Sequence, residues 1–296
     1  MRTTRIAALT AAATLAATGL VACSSESSSS SAAGESDAVI VTIGTTDADQ
    51  LAWTAFEEEA QQRGIDLDIQ QFSEYPPVNP ALAENQIEIS KFQTINYQAQ
   101  YNASSGNDLR IIGSGEINIL GLYWKDHDSL DGIEGQEVAI PNDPSNQGRA
   151  INVLVQAGLV TLRDGAPRLT PTPNDIDEAN STVTVVAVDA SQTPSAYNEG
   201  RPAVVNNNWL GRAGIDPASA VAADDPNSEL AEPYINVFSV RAEDIDNETY
   251  AKLVDAWQSD AVTEALNQDS GGTAVQVNRP KEELNEILDK LVEEYK

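Results

Sequence analysis

The chain has 296 residues and a formal net charge of −29 at pH 7, with 46 acidic residues against 17 basic ones. So large a negative excess makes nucleic acids and anionic lipid surfaces poor partners. The chain contains one cysteine and one histidine, which excludes an internal disulfide and a zinc site built from these residue types. No residue pattern indicates a cofactor.

The N-terminus has the layout of a secretory signal. Arg2 and Arg5 precede an uncharged apolar run, residues 6–22, that is too short and too rich in alanine and threonine for a convincing membrane-spanning helix. The run ends in Leu20-Val21-Ala22-Cys23, which resembles the lipobox of bacterial lipoproteins. We therefore expect cleavage before Cys23 and lipidation of its thiol. The alternative is an ordinary secretory signal with an incidental cysteine.

A serine-rich segment follows the cysteine. Residues 23–37 contain too few apolar side chains to bury a core, and their composition is typical of a flexible tether. A diacylated cysteine has two acyl chains, which is sufficient for stable anchoring. The sequence thus predicts a signal peptide over residues 1–22, a tether over 23–37, and a folded part on the extracytoplasmic face of the cell membrane.

Apolar periodicity over the folded part predicts alternating strands and helices. The predicted strands are 39–43, 67–72, 109–112, 117–124, 137–140, 183–188 and 203–205. The predicted helices are 51–63, 92–103, 150–159, 247–261 and 280–295. Gly64 and Gly158 are expected to end two of them. This alternation predicts a largely parallel sheet with helices on both faces, and ligands of such sheets bind beyond the carboxyl ends of the strands.

The most informative loop is 141–149, which follows a strand and opens a helix. Ser145 is expected to cap this helix, whose first turn then offers unpaired N–H groups to an anion. Arg149 lies at the end of that turn, where a positive charge interacts unfavourably with the helix dipole. A cation at this position is explained if its guanidinium binds a carboxylate. A capped helix with a surface arginine explains the pattern equally well. Substitution of Arg149 by alanine is expected to affect folding little.

Segment 138–149 resembles the signature of the methionine-binding lipoproteins of the NLPA group. These are solute-binding components of ABC importers for methionine and related amino acids. Segments 72–75, 87–97, 203–206 and 233–236 are similar to other family segments in the same order. The resemblance implies an amino-acid ligand, and a partner permease with its ATPase.

The resemblance also implies a fold. It predicts an α/β protein with the two-lobed, type II periplasmic-binding-protein architecture, in which two crossover strands join the lobes and the ligand lies between them. Lobe 1 would comprise residues 38–118 and 236–296, and lobe 2 residues 119–235. The crossovers would lie near 117–123 and 234–240.

The same resemblance assigns binding roles to individual residues. It assigns the ligand carboxylate to Arg149. Other assignments are the carboxylate and ammonium to the asparagines Asn146, Asn206 and Asn236, and the thioether side chain to the aromatic residues Tyr75, Phe92 and Tyr97. For each aromatic residue, packing in the core is the alternative.

Departures from the family pattern affect the side-chain pocket. Thr94 stands where the family has histidine, Asn96 replaces a common proline, and Trp209 replaces a tyrosine that an indole could partly substitute. We therefore expect the α-amino-acid contacts to persist while Thr94 alters the side-chain preference. The alternatives are a different small carboxylate, a short peptide, or a secreted enzyme. An enzyme of the Ser-His-Asp type would need His127, which lies in a polar, surface-type turn, so no catalytic residue is predicted.

Overall fold

The computed structural model describes residues 38–296, which contain strands and helices in alternation. The strands are β1 (Val39–Thr45), β2 (Ile65–Gln71), β3 (Ile89–Thr94), β4 (Leu109–Ser114), β5 (Glu116–Ile117), β6 (Gly121–Tyr123), β7 (Glu137–Pro141), β8 (Thr184–Val188), β9 (Ala203–Val205), β10 (Ala222–Ala223), β11 (Asn236–Arg241) and β12 (Val275–Gln276). The helices are α1 (Leu51–Gln61), α2 (Val78–Ala83), α3 (Ile95–Ser105), α4 (Pro144–Gln156), α5 (Thr193–Asn198), α6 (Asn207–Ala213), α7 (Glu248–Trp257), α8 (Asp260–Asp269) and α9 (Lys281–Glu294).

Two five-stranded sheets define the two predicted lobes. The first has the strand order β2-β1-β3-β11-β4 and the second the order β10-β6-β9-β7-β8, while β12 pairs with β5. The chain leaves the first sheet after β4, enters the second at β6, and returns between β10 and β11. The residue-level lobe boundaries given above stay a prediction.

The sheets are mixed, so the expectation of a largely parallel sheet is wrong for several strands. β1 is parallel to β2 and β3, and β7 is parallel to β8 and β9. In contrast, β11 is antiparallel to β3 and β4, and β6 is antiparallel to β9 and β10. Parallel neighbours require a long crossover connection. Strands β6 and β11 arrive directly from the other sheet, so no such connection fixes their direction.

Several element boundaries differ from the predicted ones. The helix expected from residue 92 begins at Ile95, because residues 89–94 pair with β1 and β11 as strand β3. The closing helix expected over 247–261 is two helices, with the Ser259 hydroxyl capping the second. The two glycines expected to end helices have positive φ angles, 74° at Gly64 and 71° at Gly158.

An aromatic cluster anchors the first sheet to its helices. Trp53 and Phe56 of α1 pack against Phe238 of β11 and Trp257 of α7, with ring centroids 5.1–6.0 Å apart and the rings edge to face. Each such pair stabilises the fold by about 0.5–1.5 kcal/mol beyond the burial of its area. Because β11 lies between β3 and β4, this cluster fixes the strands whose ends approach the candidate site.

Candidate functional site

One cavity is lined by residues from both lobes and contains about 420 Å³ of empty space, part of it open to solvent. All eight residues predicted to contact a ligand line it, namely Tyr75, Phe92, Thr94, Tyr97, Asn146, Arg149, Asn206 and Asn236. Six further residues line the cavity that were not predicted from the sequence, namely Gln93, Asn118, Ile119, Leu120, Asn207 and Asn208. Gln93 and Asn207 adjoin predicted residues, Asn208 lies two positions after Asn206, and residues 118–120 lie in the predicted first crossover, so proximity in the chain was the sole signal for them.

The junction between β3 and α3 contributes four lining residues, which are Phe92, Gln93, Thr94 and Tyr97. Phe92 lies on the strand and is 4% exposed, so its burial follows from strand pairing and not from helical spacing. The Thr94 side chain caps α3 by accepting a hydrogen bond from the backbone N–H of Tyr97 at 3.2 Å. The hydroxyl at the position where the family has histidine therefore stabilises a helix start.

Aromatic rings form one wall of the cavity. The ring centroids of Tyr75, Phe92 and Tyr97 lie 5.6–5.9 Å from one another. Trp209 is buried with its ring 5.4 Å from that of Tyr75, and it packs behind Tyr75 instead of lining the cavity. The wall is thus apolar and braced from behind, which suits the side chain of a small ligand.

The start of α4 differs from the prediction that Ser145 caps it. Asp143 is the capping residue, and its carboxylate accepts a hydrogen bond from the Asn146 N–H at 2.9 Å. Ser145 lies inside the helix, and its hydroxyl accepts a hydrogen bond from Asn96 at 3.0 Å. A proline at position 144 explains the shift, because proline is favoured in the first helical turn and lacks an N–H.

Arg149 is 5% exposed, so the alternative of a surface arginine is wrong. Its Nε donates to Asp224 Oδ2 at 2.6 Å and its Nη2 donates to the Asn118 carbonyl at 2.8 Å. The guanidinium carbon lies 4.4 Å from the centroid of the Tyr234 ring. These two hydrogen bonds use two of the five guanidinium N–H groups, and within residues 38–296 the other three have no acceptor and can bind an anion.

A chain of amides connects the helix cap to the cavity. Asn146 Nδ2 donates to both carboxylate oxygens of Asp143 at 3.0 Å, and Asn206 Nδ2 donates to Asn146 Oδ1 at 2.8 Å. Asn206 Oδ1 is buried and has no hydrogen-bond partner within residues 38–296. Asn236 Nδ2 donates to the Glu116 carbonyl at 3.2 Å. Asn206 and Asn236 thus each direct the amide nitrogen to an acceptor on the protein.

A buried ion pair supports the first passage between the sheets. Lys91 Nζ lies 2.6 Å from Glu116 Oε1, with the side chains 4% and 3% exposed, and 4.2 Å from the centroid of the Trp257 ring. Asn118 Nδ2 donates to the same carboxylate at 3.3 Å. Buried charges are tolerated only when paired and hydrogen-bonded, so this pair fixes the position of Asn118. The sequence analysis did not identify it.

Burial controls the protonation of the groups around the cavity. Removal from water raises the pKa of the Asp143 carboxyl, and the hydrogen bonds from Asn146 oppose this effect. Burial likewise raises the pKa of Tyr75 and Tyr97 well above the usual range, and that of Tyr234 to about 12. The three tyrosines are therefore neutral at pH 7 and add no negative charge to the site.

Hydrogen bonds beside the cavity join the two lobes. Asn208 of α6 donates to Asp47 Oδ2 at 2.6 Å and accepts from the Tyr75 hydroxyl at 2.9 Å. Arg212 of α6 contacts both carboxylate oxygens of Asp49, at 2.7–3.1 Å. Helix α6 follows β9 of the second sheet, whereas Asp47 and Asp49 follow β1 of the first. A cavity-lining tyrosine is therefore part of the contact between the lobes.

Two further expectations concern residues away from the cavity. The expected signal peptide, tether and lipidated Cys23 lie outside the described residues. Among residues 38–296, no helix is long and apolar enough to cross a membrane. His127 is exposed in a turn, with its ring stacked on that of Trp124 at a centroid distance of 3.4 Å.

The fold and the cavity define a class. Two α/β lobes around a cavity that combines a buried guanidinium, amides and aromatic rings have the architecture of solute-binding proteins. A comparison with family models then identifies the particular family. The chain belongs to the NlpA lipoprotein family, whose model matches residues 41–278.

Curated relatives and solved structures agree with this assignment. The chain is 33% identical to the D-methionine-binding lipoprotein MetQ of Escherichia coli (strain K12) over 230 residues, covering 76% of this chain and 83% of the relative. A Staphylococcus aureus crystal structure superposes with a TM-score of 0.79 at 34% identity, over 85% of this chain and 99% of that one. The structure of a nutrient-binding protein from Burkholderia cenocepacia bound to methionine superposes with a TM-score of 0.73 at 29% identity, over 80% of this chain and 99% of that one.

Proposed function

We propose that this chain binds methionine or a closely related α-amino acid outside the cytoplasm and delivers it, chemically unchanged, to an ABC importer. The observation that supports this most is that all eight residues assigned to the ligand line a single cavity between the lobes. The names of the relatives add support, since MetQ proteins are named as D-methionine-binding lipoproteins.

The groups around the cavity are complementary to the parts of a free amino acid. Arg149 retains N–H donors for a carboxylate, whose planar shape matches a guanidinium. Asn206 retains a buried acceptor, which suits an ammonium group. The rings of Tyr75, Phe92 and Tyr97 offer an apolar surface, worth about 0.8 kcal/mol for each methylene buried and about 0.3–1.5 kcal/mol for a sulfur–aromatic contact.

The side chain of the ligand is the less constrained part of the proposal. Thr94 offers no ring, and its hydroxyl already caps α3. A related amino acid, another small carboxylate or a short peptide therefore belongs in the binding test beside methionine. None of these alternatives alters the proposed role of Arg149.

The binding test is calorimetric. The full chain in detergent is titrated with L- and D-methionine, methioninamide, leucine and a methionine-containing dipeptide. We expect a free amino acid to bind and its amide to bind at least about tenfold more weakly, because the amide lacks the charge that pairs with Arg149. Equal affinity for acid and amide, or no binding of any compound, would refute the proposal. Mass spectrometry after incubation should recover the ligand intact.

Membrane attachment is proposed to depend on Cys23. The lipobox-like residues 20–23 and membership in a lipoprotein family support this. In cells, Cys23→Ala should yield protein that is not stably retained by membranes after a high-salt wash, because two acyl chains provide the anchor. Wild-type retention of that variant would contradict the proposed anchor. Uptake of radiolabelled ligand should also fall in native host cells that lack the gene.

A further inference from the structure

The polarity of the amide chain is fixed at one end by a carboxylate. A carboxyl group whose two oxygens both accept hydrogen bonds, as those of Asp143 do, acts as an ionised acceptor and has no hydrogen to donate. Asp143 receives the backbone N–H of Asn146 at 2.9 Å and the Nδ2 of the same residue at 3.0 Å on both oxygens. Asn146 must therefore direct its amide nitrogen to Asp143 and its carbonyl oxygen to the next residue.

The orientation of Asn146 in turn fixes that of the Asn206 side-chain amide. Asn146 Oδ1 can only accept, so Asn206 must place its Nδ2 there, and it does so at 2.8 Å. Its carbonyl oxygen is then left over, buried in a residue that is 8% exposed and without a partner in the part of the chain that the structure describes. A buried acceptor without a partner is unfavourable, because it has lost its hydrogen bonds to water. A ligand donor would remove that cost.

We propose that Asp143 is a positioning residue that, through Asn146, makes Asn206 present a carbonyl oxygen to the ammonium group of the ligand. This inference rests on the proposed function and identifies the residue that selects for ammonium. Asn236 adds a second acceptor of the same polarity, because its Nδ2 donates to the Glu116 carbonyl. Donors for the carboxylate come from Arg149, so the two ends of an amino acid are distinguished.

The same Asp–Asn contact also occurs in a cap that has no cavity beside it. Asp177 caps a short 3-10 turn in the same way, accepting the Ala179 N–H at 3.2 Å and the Asn180 Nδ2 at 2.7 Å. That turn is exposed and contributes nothing to the lining of the cavity. The Asp177 site therefore offers a matched control for the effect of the substitution on a capped turn.

The primary variant is Asp143→Asn. The new side chain keeps an oxygen that can accept the Asn146 N–H, so the helix cap is retained. Its amide nitrogen, however, replaces Oδ2 and lies against Asn146 Nδ2, a repulsive contact between two donors, although the retained oxygen still accepts from that nitrogen. The repulsion is relieved when the side-chain amide of Asn146, and then that of Asn206, rotates so that its oxygen and nitrogen exchange places. Asn206 then presents its nitrogen to the cavity, and this donor repels an ammonium group.

The experiment compares two ligands by calorimetry on the full chain in detergent. Methionine and 4-(methylthio)butanoate share the carboxylate and the thioether, and only methionine has the ammonium. In Asp143→Asn we expect methionine affinity to fall by about 10- to 100-fold, the factor for a hydrogen bond to a charged group. The affinity of the desamino compound should change less than about threefold, within the variation of an indirect effect. Asp177→Asn should leave both affinities unchanged.

A second variant separates the relay, meaning the chain of hydrogen bonds from Asp143 through Asn146 to Asn206, from the helix cap. Asn206→Ser shortens the side chain so that no acceptor reaches the ligand, and it leaves Asp143 and Asn146 untouched. We expect the same selective loss of methionine affinity. Equal losses for the two ligands in both variants would show that these residues only maintain the shape of the cavity, and would overturn the inference, as would no loss in either variant.

A direct observation keeps the inference testable without a ligand. Neutron diffraction of the unliganded protein locates the amide hydrogens, which ordinary X-ray data do not show. The Asn206 deuterons should point to Asn146 in the wild type and to the cavity in Asp143→Asn. A wild-type Asn206 with its nitrogen towards the cavity would overturn the relay even if amino acids bind. If no amino acid binds, the proposed function fails, and the amide orientation still decides the relay.

Discussion

Substitution of Arg149 by alanine should damage both folding and binding. The Arg149 side chain is 6% exposed and that of its partner Asp224 is 13% exposed, with 2.6 Å between Nε and Oδ2. In the variant, Asp224 would keep the Leu120 N–H at 2.8 Å as a partner and lose its counter-charge. A carboxylate would then remain largely removed from water without a cation.

The expected loss of folding stability follows from that geometry. Breaking a buried ion pair by removing one partner costs about 3–5 kcal/mol. Removing a cation from the N-terminal half of α4 returns at most about 1 kcal/mol through the helix dipole. The net destabilisation of Arg149→Ala should be about 2–5 kcal/mol. The expectation from the sequence that folding is little affected is therefore replaced by a sizeable loss.

Urea unfolding of the ligand-free protein measures this loss. Arg149→Ala should lower the midpoint, whereas Arg149→Ala with Asp224→Asn should recover part of it, because no buried charge then remains unpaired. Calorimetry should show methionine binding weakened by about 2–5 kcal/mol in Arg149→Ala and partly restored in Arg149→Lys, whose ammonium lacks the two-pronged geometry. A wild-type midpoint in Arg149→Ala would refute the role of the ion pair in folding, and wild-type binding would refute the proposed carboxylate site.

Three other outcomes are expected. Thr94→His should change which amino-acid side chain binds best while a free carboxylate is still required, as calorimetry with an amino-acid panel would show; an unchanged ranking would contradict this. Arg212 lowers the pKa of Asp49 below its ordinary 3.8, so the stability from this pair is present above pH 3.8 and is lost as the pH falls further. The free energy of unfolding of Asp49→Asn, measured by thermal denaturation, should thus be lower than that of wild type by at most about 1 kcal/mol at pH 7 and by less at pH 3. A difference that does not change with pH would argue against a stabilising ion pair. Because the net charge is −29, NaCl should screen the repulsion among the negative charges and raise the wild-type Tm. The shift should be about 2–4 °C for each kcal/mol of repulsion that is screened, and a Tm independent of salt would contradict this.

The amino-acid sequence by itself determined most local elements and named eight residues that line the cavity. Alternating apolar runs located most strands and helices, because they depend on residues close together in the chain. Gly158 directly follows the cap of α4 as expected, whereas Gly64 lies two residues beyond the cap of α1. The resemblance of segment 138–149 to a family signature assigned Arg149 and the asparagines, and all of them line one cavity.

Tertiary structure decided which partners these residues have. Helical spacing places Phe92 on a helix, but pairing of β3 with β11, more than 140 residues later in the chain, makes it part of a strand. Arg149 meets Asp224 across 75 residues, and Asn206 meets Asn146 across 60. Periodicity reports which face of an element is apolar, and it contains no information on which distant element will cover that face or supply the opposite charge. The polarity of the cavity amides depends on such long-range contacts, and only the folded chain defines it.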